Sequence, residues 1–95
     1  MKSHANMLLE KFGKPIQLQW YFFESAGEEI PLHFHEIFVH ASIVIAGEFE
    51  VFDDTGKTKK LALYDYVEFA TGRKHGLRAL APGSVLLSVR EQGIF

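Results

Sequence analysis

From Pro15 onward, apolar and polar residues alternate with a period of two in short stretches separated by turn residues, the pattern of half-buried strands. Gln17–Phe23 opens the series. It carries Trp20, Tyr21, Phe22 and Phe23 in succession, so both its faces are apolar and it suits a strand covered on two sides. Further strands are predicted over Pro31–His35, Ala41–Ala46, Glu48–Phe52, Lys57–Leu63, Tyr66–Phe69, His75–Leu80 and Val85–Arg90. Ser25–Glu29 reads as a loop, and Asp53–Gly56, Tyr64–Asp65 and Ala81–Ser84 read as turns. Ahead of Pro15 the signals change. Ser3–Phe12 reads as a short helix with Ser3 as N-cap, Gly13 at the C-cap and Pro15 just beyond, too short to persist without docking.

The alternation also assigns faces. Val85, Leu87 and Val89 are expected inward on the last strand. Counting from His75 puts Leu77 and Ala79 inward, with Gly76, Arg78 and Leu80 outward. Counting from His40 puts Ser42 and Val44 inward, and Gly47 marks a bulge after which Phe49 and Val51 become the core pair. Glu68 lies opposite Val67 and Phe69. About eight short strands with closely spaced turns specify an all-β sandwich or barrel. Residues 1–14 form an arm or short helix and residues 15–95 one β-barrel domain, with no linker or repeat between them.

Composition narrows the partners. The chain has 95 residues, 47% of them hydrophobic and nine of them Phe. A domain of this size buries only ~60–65% of its unfolded surface. Part of that apolar surface is therefore expected against a second copy, with the Trp20–Phe23 aromatics contributing to both core and contact, which makes a homodimer. Net charge is −2 and no run of Lys and Arg exceeds two residues, which argues against nucleic acid as a partner. The absence of Cys removes disulfides, thiolate catalysis and Cys-based metal sites. No apolar stretch approaches the ~18–20 residues of a membrane span, and the first residues lack a signal-peptide core, so the expectation is a cytoplasmic protein with no membrane partner.

Chemistry concentrates at His33-Phe34-His35-Glu36-Ile37-Phe38-Val39-His40. Histidines at i and i+2 on a strand share a face with Cα atoms roughly 6.5–7 Å apart, a gap two imidazoles span around one ion. His40 lies an odd step from His35, so a tight loop or bulge at Glu36–Val39 is needed to re-aim it. Three histidines this close together, in a chain with five, outweigh the alternative of ordinary half-buried polar positions. His4 is isolated and receives no role, and Asp53–Gly56 has too few ligands for a calcium loop.

His33-x-His35-x4-His40-x6-Gly47 resembles the first motif of the cupin superfamily, and Ala70-Thr71-Gly72-Arg73-Lys74-His75 resembles the second, with Asp65 where that motif has its leading Gly-Asp. The chain departs at three places: His40 where the family usually has Glu, Tyr64 for Gly and Ala70 for Pro. The resemblance spans about residues 15–90 and implies a cupin-type double-stranded β-helix, a jelly-roll barrel. It also implies metal ligands His33, His35 and His75, with His40 replacing the carboxylate. One divalent transition ion per chain (Fe, Mn, Ni, Cu, Co or Zn) is the implied cofactor, and dimers are common among cupins of this size.

Replacing a carboxylate by imidazole raises the net charge of such a site from about +1 to about +2, which favours bound anions and enolates. Imidazole donors suit Zn, Cu, Fe, Ni or Co and disfavour Mg and Ca. Ser42 and Leu77 are the candidate substrate contacts inside the pocket. Arg73 at its mouth is a guide for an anionic substrate, against the alternative of a solvated loop charge. The first expectation is a metal-dependent enzyme acting on a small anionic or chelating molecule, dioxygenase-type chemistry ranking slightly ahead. A non-oxidative isomerase or lyase of sugar-acid type comes second, and a non-catalytic small-molecule binding module third.

Overall fold

In a computed structural model the alternating stretches become antiparallel strands of two sheets. The structure describes residues 2–11, 14–33, 39–69 and 74–91, with side chains over 18–32, 41–68 and 74–89. The strands are β1 (Lys2–Lys11), β2 (Lys14–Phe23), β3 (Glu29–His33), β4 (Val39–Ala46), β5 (Phe49–Asp53), β6 (Thr58–Leu61), β7 (Tyr66–Phe69), β8 (His75–Ala79) and β9 (Ser84–Glu91). One sheet runs β1-β2-β9-β4-β7 and the other β3-β8-β5-β6, and the chain crosses repeatedly between them, as in a jelly roll. The described residues contain no helix, so none is long and apolar enough to cross a membrane.

The expected helix over Ser3–Phe12 is corrected: β1 is a strand paired along its length with β2, from Lys2 opposite Phe22 to Lys11 opposite Lys14. The physical reason is partner availability. A lone helix of this length is marginal, whereas edge pairing satisfies the backbone and sets Met7 opposite Leu18 and Leu9 opposite Ile16.

The core sits where the two sheets face each other. Phe23 of β2 meets Phe49 of β5 edge to face, centroids 5.0 Å apart at 77°. Val44, Leu61, Leu77, Ala79 and Leu86 complete the buried cluster, and Val51 and Val67 pack against it. Leu77, Ala79, Ser42, Val44, Phe49 and Val51 thus face the way the alternation assigns them. The parity change before Phe49 also appears, as a register shift between Val44 and Ala46 just ahead of Gly47.

On β9 the assigned faces are reversed, a second correction. Ser84, Leu86 and Ser88 are buried on the inner face, while Val85, Leu87 and Val89 are only half-buried on the outer one. Both faces of β9 carry apolar residues, so hydrophobicity alone chose the wrong one. Space and hydrogen bonding decide it. The Ser84 hydroxyl donates to the Ala81 carbonyl at 2.7 Å and accepts from the Glu48 amide at 3.2 Å. At Gly47, with φ 76°, a Cβ would collide with the Ser84 hydroxyl and stand 2.8 Å from the Ser84 Cα. A valine at position 84 would not fit that contact. We expect Gly47→Ala to lower stability by about 2–4 kcal/mol, combining left-handed strain with overpacking, read as a shifted urea midpoint at constant slope.

The outer faces of the two sheets differ in kind. On the β3-β8-β5-β6 sheet, Glu29, Arg78 and Glu50 lie in one cross-strand row. Arg78 Nη2 stands 3.0 Å from Glu29 Oε2 and Nη1 3.1 Å from Glu50 Oε1, and the guanidinium lies 5.2 Å from the centre of the Phe52 ring. That is a solvated face of modest energetic weight. On the other sheet, the described outward side chains of β2, β9 and β4 are apolar.

Candidate metal and substrate site

The inner face of the β3-β8-β5-β6 sheet is sorted by register. Phe49 pairs with Ala79 and Leu61, and Val51 with Leu77 and Lys59. Asp53 pairs with His75. One end of the interior is therefore an apolar plug, and the other carries His75, Asp53 and Lys59. The facing sheet is sorted the same way: Tyr21, Leu86 and Val44 form one row, and Gln19, Ser88, Ser42 and Val67 the next. Val67 joins the two polar ends, because it lines the same cavity as His75.

That cavity holds about 410 Å³ and opens at the seam between the edge strands β6 and β7. Its polar lining among the described residues is His75, Asp53, Lys57, Lys59, Lys74, Glu68 and Thr58, with Val51 and Val67 as apolar wall. His75 is 4% exposed, on the inward side of β8 with Leu77 and Ala79. The Asp53 carboxylate closes the hairpin turn. Its Oδ1 accepts from the Thr55 amide at 2.9 Å, the Thr55 hydroxyl at 2.6 Å and the Lys57 amide at 3.0 Å. The turn reading of this segment holds, and the register adds that the same residue sits beside His75.

Of the expected ligands, His75 alone has its side chain among the described residues. His33 ends β3 directly opposite His75, with a register shift between Ile30 and His33. His40 lies in β4 at an irregularity: the pairing steps from Val39–Arg90 to Ala41–Val89, two residues on β4 against one on β9. A bulge therefore falls at His40 itself, whereas most of the segment expected to re-aim it, Glu36–Val39, lies outside the described residues. Bulges recur beside functional sites because they re-aim side chains. His35 and Glu36 lie outside the described residues, as does Arg73. Among the described residues no three metal-ligating side chains form a group.

Ser42 and Leu77 are buried on the inner face as assigned, although neither is part of the cavity's described lining. The Ser42 hydroxyl is engaged with that of Ser88 at 2.9 Å. Ser42→Ala should cost about 1–2 kcal/mol by leaving the buried Ser88 hydroxyl short of a partner, and Ser42→Ala with Ser88→Ala together should cost less than the single change. A double-mutant cycle on urea unfolding reads this directly. Lys57, Lys59, Asp53 and Glu68 escaped the sequence reading as site residues. The period-two signal was available for the lysines, since Lys57, Lys59 and Leu61 share one parity and Leu61 is in the core.

The arrangement of two packed antiparallel sheets is shared with solved structures. KdgF from a Halomonas species superposes with a TM-score of 0.76 at 21% identity, over 94% of this chain and 78% of that one. The fold is that of the cupins. A cupin-2 domain protein from Shewanella frigidimarina gives a TM-score of 0.72 at 12% identity, covering 97% of this chain and 84% of its own. An RmlC-like cupin from Desulfovibrio desulfuricans gives 0.68 at 23% identity, covering 95% and 96%. No protein-family model matches the sequence, and no curated protein does. The cupin fold thus rests on these superpositions, with which the motif resemblance agrees.

Proposed function

We propose that this cupin is a metal-dependent enzyme acting on a small chelating organic anion. One observation carries the reading: His75 is buried at a cavity whose described lining brings three lysines to the same opening. The donor chemistry fits a divalent transition ion, and His33, His35, His40 and His75 would hold it. When bound, such an ion supplies Lewis acidity toward a carbonyl or hydroxyl oxygen.

The chain's own residues supply the rest. Lys57, Lys59 and Lys74 hold the substrate carboxylate as point charges. Val51 and Val67 form a wall that limits water. Glu68 stands at the rim of the cavity, on the side of β7 opposite Val67. The lysines at the opening favour a polyoxygenated organic acid, and with it an isomerase or lyase reaction of sugar-acid type, over the dioxygenase type that the sequence ranked first. The dioxygenase reading stays second, supported by the neutral imidazole donor set, which suits a redox metal.

The test is turnover of a panel of hydroxy and oxo acids by metal-loaded protein with and without dioxygen. The expected result is equal conversion in both atmospheres, with Lys59→Gln raising KM by about 10-fold at unchanged metal content. Oxygen uptake matching product would install the dioxygenase reading instead. Tight binding of the acids without conversion would leave a binding module.

A further inference from the structure

The turn between β6 and β7 is built for a residue it does not contain. The Ala62 carbonyl accepts from the Asp65 amide at 3.0 Å, closing a turn in which Tyr64 takes φ 68°. A positive φ at the third position of such a turn is the place for glycine, because a Cβ there crowds the backbone. Position 64 is also where the chain has Tyr in place of the Gly of the cupin motif. Among the described residues Tyr64 is the one non-glycine with a positive φ. The conformation is held from outside. The Tyr64 amide donates to the Val44 carbonyl at 2.8 Å, the Val44 amide to the Asp65 carbonyl at 2.9 Å, and the Ala62 amide to Asp65 Oδ2 at 2.9 Å. Strain of this kind persists only where the surroundings over-determine it, and it gathers at binding sites. Packing does not account for the tyrosine, which is 72% exposed beside Tyr66 at 60%.

We propose that Tyr64 and Tyr66 form a second binding subsite, for a neutral polyhydroxylated ring, next to the His75 cavity. The two tyrosines line a hollow of about 680 Å³ together with Lys59, Asp65 and Glu68. It wraps the edge of β7, taking Tyr66 and Glu68 from one face and Val67 from the other. Lys59, Val67 and Glu68 also line the His75 cavity, so the two spaces adjoin along the β6–β7 seam. The lining selects the ligand. A second anionic group would meet Asp65 and Glu68, and a purely apolar group would strip water from three charges without replacing its hydrogen bonds. Hydroxyls both donate and accept, and so serve the lysine and the carboxylates alike. The carbon face of the ring lies on tyrosine, a rigid side chain that loses little entropy when it binds and keeps its hydroxyl in water. With the carboxylate held by the lysines at the His75 cavity, the substrate class becomes an acid that carries a linked sugar. This extension of the substrate rests on the acid-binding reading of that cavity.

Calorimetric titration of the purified protein with three probes tests the subsite. Gluconate is a chelating acid without the second ring, lactobionate is the same acid carrying a galactose, and lactose has two rings and no carboxylate. Lactobionate should bind about 10-fold more tightly than gluconate, and lactose should bind weakly by itself. Tyr64→Gly should lose most of that advantage, leave the gluconate affinity unchanged and raise the urea midpoint, because glycine relieves the strained φ and an exposed ring contributes little packing. Tyr64→Phe should keep the advantage. Failure of gluconate to bind, with lactose binding lost in Tyr64→Gly, would sink the acid site and leave the subsite standing. Equal affinity for gluconate and lactobionate, or no binding by any of the three, would overturn the subsite. So would an advantage that survives Tyr64→Gly, or a lowered urea midpoint in that variant, which would make Tyr64 a packing residue.

Discussion

His75→Ala is expected to purify folded and without metal. His75 lies on the inner face, at the polar end of the interior, with His33 opposite on β3 and Asp53 opposite on β5. Both neighbouring positions belong to strands that hydrogen-bond to β8, so removing the imidazole leaves the sheet ladder intact. It removes a donor that is buried from solvent. Losing a partner of a metal ligand costs about 10–100-fold in affinity, so losing a ligand should cost at least ~100-fold. Metal content measured after dialysis should fall from about one ion per chain to near zero, with the unfolding midpoint of the metal-free protein nearly unchanged. His40→Glu should keep the ion, because a carboxylate is also a competent donor for such metals. Full retention of metal by His75→Ala would remove the metal reading of this cavity.

Phe49→Ala should be the most damaging of the core changes, at about 3–5 kcal/mol. Phe49 is fully buried and stacks edge to face with Phe23, so one ring bridges the two sheets. Its neighbours Leu61 and Ala79 sit on adjacent strands of its own sheet and do not span that gap. Truncation would leave a cavity between sheets that the ladder hydrogen bonds prevent from collapsing. Domains of this size are stable by only about 5–15 kcal/mol, so a large share of the total would go. Urea unfolding should show a lowered midpoint at similar slope. A cost below ~1.5 kcal/mol would mean that the sheets close around the missing ring.

Much of this architecture was legible from alternation. β7 begins and ends where the pattern put it, and most other strands agree to within a few residues. The hairpin at Asp53–Gly56 was readable because its side-chain chemistry is local: one carboxylate oxygen gathers the donors of Thr55 and Lys57. β1 was misread because Ser3, Gly13 and Pro15 are helix punctuation only when nothing nearby offers a strand edge. The inward face of β9 was misread because Leu86 lies between two serines, and small polar residues were required beside Gly47 and Ser42. Local hydrophobicity has no access to a backbone that approaches from elsewhere in the chain.

For the site, the histidine motifs named His75 and placed it on an inward parity, since spacing along one strand is a sequence property. Asp53 beside His75, and Lys59 at the cavity opening, follow from pairing between β5, β6 and β8, which brings distant residues into one row. The amino-acid order by itself determined the all-β class, the turns and the concentration of imidazole, because periods of two and turn chemistry act over a few residues. Tertiary structure decided which face of β9 is buried and which charges ring the cavity. Those outcomes depend on strand register and on the space between sheets, quantities that exist only once the chain has folded.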